Sequence, residues 1–189
     1  MMIVTTTDIA QFRLLLIADN DRLVTVDWLA EQQAWYDSKS IVMLKKQYQL
    51  SDDEFRFIDK NSLSKENKTE LLLLEVIEQL GQYANGERKE FDIKLDWRLG
   101  TTFQQKVWRA LQQIEYGQTI SYAQLAKNIG QPTAYRAVAN ANGKNPFSII
   151  IPCHRVIATG GGLGGYTGGI DKKQYLLQLE QSKAQIYSK

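Results

Sequence analysis

SYAQLAKNIGQPTAYRAVANANG, Ser121–Gly143, is the stretch whose reading decides the fold of the second half of this chain. Two short runs of helix-compatible residues flank Gly130-Gln131-Pro132, a strong turn signal. Ser121 stands where an N-cap belongs, and Asn142-Gly143 ends the second run. The pattern predicts two short helices joined by a tight turn, the outline of a helix-turn-helix. On that outline the second helix faces nucleic acid with Thr133, Tyr135, Arg136, Asn140 and Asn142, and its alanines let the backbone come close. A helical hairpin packed for structure alone has the same outline.

Outward from this pair the texture stays helical on both sides. Upstream, Thr101 or Thr102 suits the cap of TTFQQKVWRALQQI, where Phe103, Val107, Trp108, Leu111 and Ile114 share a face. Downstream, IIIPCHRVIA is too apolar and β-branched for a surface helix and is interrupted by Pro152, and Asp171 is placed to cap a last helix, KKQYLLQLEQ. Before Gly100 the pattern is mixed. FRLLLIADNDRLVTVDW reads as a hairpin, Phe12–Ala18 and Leu23–Trp28 around Asp19-Asn20-Asp21. Residues 30–65 are weakly periodic and predict no element. TELLLLEVIEQLGQYANG carries a long apolar stripe and predicts a helix ending near Gly81–Gly86. FDIKLDW alternates, as a strand or an extended linker does. The expected fold is an α/β (α+β) N-terminal domain, 1–100, with a β-hairpin and a long helix. A mainly α C-terminal domain, 101–189, with the helix-turn-helix follows.

Composition narrows the function classes. The 43% hydrophobic and 23% charged content is ordinary for a soluble globular chain. No apolar run approaches the ~20 residues of a membrane span, and MMIVTTTDIA lacks the regions of a secretory signal. The single cysteine and single histidine make neither an internal disulfide nor a structural zinc set. The net charge of +2 conceals a split: residues 1–100 carry 13 Lys and Arg against 18 Asp and Glu, and residues 101–189 carry 10 against 3. The second half is therefore a candidate surface for a polyanion, or else a balance to the acidic half.

That cysteine and histidine, Cys153 and His154, are neighbours, and seven of the thirteen glycines follow between Gly160 and Gly169. A cysteine reacts as thiolate, which a nearby base makes accessible. Adjacent residues in extended chain point to opposite faces, so contact between the two needs a sharp turn or a bridging water. A histidine base also needs a third group to hold its tautomer, and the basic half offers Glu115, Asp171 and Glu180. The alternative is a small buried cysteine beside a surface histidine. The glycine run matches G-x-G-x-x-G at Gly160, Gly162 and Gly165, but no helix opens directly after it and too little chain remains for another crossover. Gly-Lys-Ser/Thr is absent, so a P-loop fails too. Such a loop either brings backbone amides against a flat ligand or serves as a mobile connector.

FQQKVWRAL, the SYAQLA helix, RAVANANGKNP, IPCHRVI and GGLGGYTGG, with Glu180 beyond them, together resemble the 6-O-alkylguanine-DNA alkyltransferases, stand-alone bacterial type. The likeness runs from about Phe91 to the C-terminus, and the first hundred residues fit the family's variable α/β domain loosely. The resemblance implies a single-turnover repair reaction on a nucleotide flipped out of the duplex. Cys153 would take the alkyl group from the 6-oxygen of guanine, or the 4-oxygen of thymine, and keep it as a thioether. His154 would accept the thiol proton through a water, held by Glu180. Asn145 would pin the turn carrying Cys153, and Tyr122 would donate a proton to the leaving base. Arg136 would fill the gap left in the duplex, with its helix in the minor groove. Leu163, Gly164, Tyr166 and Thr167 would line the base pocket, with Ser148 making it roomier. Ala139, Asn140, Lys144 and Tyr135 depart from the family's usual pattern.

The resulting expectation is a cytoplasmic monomer that acts on double-stranded DNA containing alkylated bases, with no cofactor, no metal and no membrane partner. Three other readings compete. A lesion-flagging binding module would lack the nucleophile that Cys153 provides. A helix-turn-helix regulator would bind by sequence, and a thiol hydrolase would turn over.

Overall fold

The computed structural model describes the backbone of residues 1–186 and the side chains of residues 1–182. It divides into two compact units, Met1–Asp96 and Trp97–Lys189.

The first unit is built on a four-stranded sheet whose strands lie in the order Arg22–Leu29, Phe12–Asp19, Met2–Ile9, Phe55–Phe57. Strands β1 (Met2–Ile9), β2 (Phe12–Asp19) and β3 (Arg22–Leu29) form an antiparallel meander. Two-residue turns join them, with Ala10 and Asn20 at positive φ, 50° and 54°. Asn tolerates that region better than most residues, which suits the second turn. Leu14 to Ala18 on β2 are all fully buried, as befits a central strand covered on both faces. Thr5 and Thr7 of β1 are buried as well, so this strand carries polar residue types on inward positions.

Helix α1 (Lys39–Tyr48) follows, capped by the Ser38 side chain. It is fixed to β3 by Ser40 Oγ, which donates to Asp27 Oδ2 at 2.6 Å. Strand β4 (Phe55–Phe57) then pairs with β1 in parallel. Helix α2 (Lys68–Asn85) begins at Asn67, whose side chain accepts from the Thr69 and Glu70 amides, and ends on Gly86 in the left-handed region at φ 77°. Its stripe of Leu72, Leu73, Val76, Leu80 and Tyr83 is buried, and the helix packs on β1 and β2. FDIKLDW forms no full strand. Its extended end makes one parallel bridge to the β3 edge, between Leu95 and Leu23, and Asp96 N donates to Leu23 O at 2.8 Å.

The second unit is mainly helical: α3 (Thr102–Leu111), α4 (Tyr122–Asn128), α5 (Tyr135–Gly143) and α6 (Ile170–Ile186). Thr101 caps α3 in a capping box with Gln104, and Ser121 caps α4. Val107, Trp108 and Leu111 form the buried face of α3. Trp108 Nε1 donates to Ala141 O at 2.8 Å, which ties α3 to α5, and α5 also packs on α4. Two short strands, β5 (Ile120–Ser121) and β6 (Val156–Ile157), pair in parallel. Asp171 does not cap the last helix. The Gly169 carbonyl accepts from Lys173 N at 3.3 Å, so α6 starts two residues earlier, at Ile170, and Asp171 falls in its first turn.

Trp97 belongs to the second unit for a local reason. The Gln105 side chain donates to Trp97 O and Gly100 O, both at 2.9 Å. The Trp97 ring lies edge-on to Phe147, and the Arg109 guanidinium sits 4.5 Å from the ring centroid.

Candidate active site and nucleic-acid face

The β5–β6 pair places the candidate chemistry. Strand β5 runs directly into Tyr122, and β6 directly follows the three-residue 3-10 turn Cys153–Arg155, so pairing brings Tyr122 beside the cysteine's turn. Two reversals of the chain precede that turn. Ile150 N donates to Ser148 O at 2.9 Å around Ile149, whose φ of 72° is rare and strained for a β-branched residue. Cys153 N then donates to Ile151 O at 2.8 Å around Pro152, at φ −80° and ψ 62°, an inverse γ-turn. The Asn145 side chain holds both reversals. Its Nδ2 donates to Ile151 O at 2.9 Å and Phe147 O at 3.4 Å, and its Oδ1 accepts from Phe147 N at 3.0 Å. Ile149 and Ile151 are buried, so core packing offsets the backbone strain.

Cys153 is 5% exposed. Burial raises its thiol above the ordinary value, against the opposing pull of Asn145 and Tyr166 hydrogen bonds and the Lys173 charge. The resting group is thus the thiol, and reaction requires a base. His154 is fully buried, and burial lowers its imidazole below the ordinary range despite the Glu180 carboxylate beside it. A neutral ring fits that role.

His154 Nε2 lies 2.9 Å from Glu180 Oε1, across 26 residues of sequence. Glu180 also accepts from Arg155 Nε at 3.0 Å, Arg155 Nη2 at 2.9 Å and Gly117 N at 3.0 Å. Burial alone would raise its carboxyl, but hydrogen bonds and charge from His154 and Arg155 hold it far below the carboxylate range. With His154 neutral, the Arg155 guanidinium keeps Glu180 ionised. An ionised Glu180 fixes the Nε2–H tautomer and leaves Nδ1 as the ring's acceptor. Nδ1 is buried and has no hydrogen-bond partner among the described residues. Direct bonding between His154 and the thiol is therefore absent. Of the three acids in this half, Glu115 and Asp171 are exposed and Glu180 is the one in contact with the imidazole.

Sequence reasoning missed two buried cations. Arg155 is 5% exposed; besides Glu180 it binds Ile114 O through Nη1 at 2.5 Å and lies 5.6 Å from the Tyr116 ring centroid. Lys173 is fully buried and donates through Nζ to Val156 O at 2.6 Å and to Leu163 O, which fastens the glycine loop to β6. A signal existed for Lys173: it stands three, four and seven residues before Leu176, Leu177 and Glu180, on the inward stripe of α6.

Around the thiol, Tyr122 Oη donates weakly to Gly165 O at 3.5 Å, and burial raises its phenol above the ordinary value. The Gly164 backbone passes so close that a Cβ there would lie 3.4 Å from Tyr122 Cε2. Tyr166 reaches the thiol from the same loop. Thr167 Oγ1 instead donates to Gly143 O at 2.6 Å, joining the loop to the end of α5, and Ser148 is buried in the first reversal. Among the described residues, no group of three or more His, Cys, Asp or Glu is placed to hold a metal ion.

The candidate nucleic-acid residues divide in two. Thr133, Tyr135, Arg136 and Asn140 are exposed on α5 and the turn before it. Asn142 is not: it is 4% exposed and donates through Nδ2 to Cys153 O at 3.4 Å. It shares the inner face of α5 with Val138 and Ala141, so the expectation that it faces nucleic acid is corrected. No described helix is long and apolar enough to cross a membrane.

Fold and site together define a thiol protein: one buried cysteine on a pinned turn, a histidine held by a carboxylate–arginine pair behind it, and a basic helical half around both. The family described as "6-O-methylguanine DNA methyltransferase, DNA binding domain" matches residues 102–182. The methylated-DNA–protein-cysteine methyltransferase of Mycolicibacterium paratuberculosis is 59% identical over 105 residues, 56% of this chain and 63% of that relative's length. A crystal structure of Mycobacterium tuberculosis O6-methylguanine methyltransferase superposes with a TM-score of 0.75 at 37% identity, covering 97% of this chain and 94% of that one. Mycobacterium tuberculosis OGT in complex with DNA gives 0.73 at 37% identity, covering 96% and 94%. The chain belongs to the methylated-DNA–protein-cysteine methyltransferase family.

Proposed function

We propose that this protein repairs DNA by moving an alkyl group from the 6-oxygen of guanine, and from the 4-oxygen of thymine, onto Cys153. The observation that carries the reading is the buried His154, whose Nε2 lies 2.9 Å from Glu180 Oε1 while Nδ1 has no partner among the described residues, on the residue that follows the chain's single cysteine. The thiol proton passes to Nδ1 through a bridging water. Cys153 Sγ bonds to the alkyl carbon as the carbon–oxygen bond breaks, and the base departs with that bond's electrons. Tyr122, kept protonated, supplies the proton the base takes up and is itself reprotonated from the His154 side, so the net transfer is from thiol to base. The thioether is stable and each chain acts once, with no cofactor.

The reacting oxygen lies inside the duplex, so the damaged nucleotide turns out into a pocket. Leu163, Gly164, Tyr166, Thr167 and Ser148 form the wall, and the loop's glycines let its backbone approach a flat base. Helix α5 meets double-stranded DNA in the minor groove as the second helix of a helix-turn-helix, with Arg136 in the gap and Thr133, Tyr135 and Asn140 around it. The protein works as a monomer in the cytoplasm. Intact mass after incubation with a 6-O-methylguanine duplex tests the reading. Uptake saturating at one methyl group per chain, and none by Cys153→Ala, supports it; no uptake, or continued turnover, overturns it.

A further inference from the structure

Among the large apolar side chains that remain exposed, Tyr135 stands out for its neighbour. It opens α5, is 46% exposed, and its ring centroid lies 5.7 Å from Arg136 Cζ. That is inside the ~6 Å at which an aromatic face holds a guanidinium. Among the described residues the Tyr135 ring is the one partner of Arg136, which joins no ion pair or hydrogen bond. The buried face of this helix is complete without either side chain, through Val138, Ala141 and Asn142. The half-exposed Tyr135 ring is thus not part of that buried face, and one thing it does add is a restraint on the arginine.

We propose that Tyr135 is a positioning residue for Arg136, its ring holding the guanidinium on the outer face of α5 before the duplex is engaged. The proposal rests on the alkyl-transfer reading above. A free arginine side chain samples many rotamers and loses that freedom on entering a base stack. One held on a ring in the rotamer it keeps on entering the gap has less to lose, because a group pre-ordered in its bound conformation binds at lower entropic cost. An exposed guanidinium–ring contact corresponds to roughly a two- to fivefold effect. The effect belongs to duplex substrates, since a single strand has no stacked gap for Arg136 to fill.

The test is single-turnover methyl uptake by the full chain from 6-O-methylguanine, in a duplex and in a single-stranded oligonucleotide of the same sequence. In Tyr135→Ala the ratio of duplex to single-strand rate falls roughly two- to fivefold, with the thermal midpoint of the free protein unmoved. Tyr135→Phe keeps the ring and restores the ratio. In an Arg136→Ala background, Tyr135→Ala has no further effect. An unchanged ratio in Tyr135→Ala overturns the proposal, as does an effect independent of Arg136 or a phenylalanine variant as impaired as alanine. If wild-type Cys153 gains no methyl group from either substrate, the alkyl-transfer reading fails first, a result distinct from a reactive wild type with an indifferent Tyr135.

Discussion

Replacing Glu180 with glutamine tests the site's electrostatics at its centre. The substitution keeps the shape of the side chain and removes its charge. In the native site two oxygens accept from His154 Nε2, two Arg155 nitrogens and Gly117 N, all within 3.2 Å. A glutamine has one acceptor oxygen, so its amide must point hydrogens at donors, and Arg155, 5% exposed, is left without a counter-charge. Removing one partner of a buried pair costs about 3–5 kcal/mol, against a total of roughly 5–15 kcal/mol for a domain. At ~4 °C or more per kcal/mol for a unit of this size, the melting transition of the second unit drops by at least about 12 °C at pH 7.5. Acidification gives an independent readout. The folded carboxyl of Glu180 titrates below its ordinary 4.5, so its contribution is present above that pH and is lost as pH falls further. His154, lowered from 6.5, acts in the same direction from a higher pH, because the unfolded ring takes up a proton first. Thermal melts from pH 8 to 3 therefore show wild-type stability declining below about 6.5 and again below about 4.5, with the second decline reduced in Glu180→Gln to the part that carboxyls such as Asp171 contribute. A variant that melts within a few degrees of wild type, with the same acid limb, would refute the buried, ionised carboxylate.

Other expectations concern single positions. In Gly100→Ala the new Cβ would lie 2.3 Å from Trp108 Cζ3, a ring already tied to Ala141 O, so urea unfolding should report a loss of about 1–3 kcal/mol; an unchanged midpoint would mean the ring moves freely. Asn145→Ala removes the side-chain bonds to Phe147 and Ile151, worth roughly 2 kcal/mol together. Methyl uptake should slow along with that loss, and full-rate uptake by a destabilised variant would show that the turn is not what positions Cys153. Because burial lowers His154, the uptake rate should stay level from pH 8 down through 6.5 and fall only below it. A decline centred above 6.5 in a pH–rate profile would contradict the neutral buried ring.

What the sequence made legible follows from which forces act locally. Helices α2 and α3 announce themselves through apolar stripes with Gly86 and Thr101 at their ends, and α4 and α5 through Ser121, the Gly130-Gln131-Pro132 turn and Asn142-Gly143, all local features. Strand β1 went unread because MIVTTTDI puts threonines at inward positions, and three in a row hide the alternation. Helix α1 and strand β4 are short pieces whose stability comes from Asp27 and from β1, partners that the local pattern does not name. At the site, the chemistry-bearing residues Cys153 and His154 were visible as types. Arg155 was not, and Lys173 only through its place on the inward stripe of α6, since a charged side chain reads as solvent-exposed until a buried carboxylate or pair of carbonyls is seen waiting for it. Asn142 erred the other way: one residue type serves a surface or an inner helix face equally well, and its partner is a backbone carbonyl, which leaves no trace in sequence.

The left-handed isoleucine before the cysteine has a consequence for how this protein opens. Ile149 holds a backbone conformation that its own side chain disfavours, and the core keeps it there, so release of the segment it leads would relieve that strain. Since Cys153 is the single thiol of the chain and is 5% exposed, a bulky thiol-reactive dye counts each exposure of that segment while the first unit stays silent. Labelling whose rate is flat in urea marks release of the Ile149–Cys153 turn alone, and labelling that steepens with urea marks unfolding of the whole helical unit. The reactive group is thereby a built-in gauge of local against global breathing.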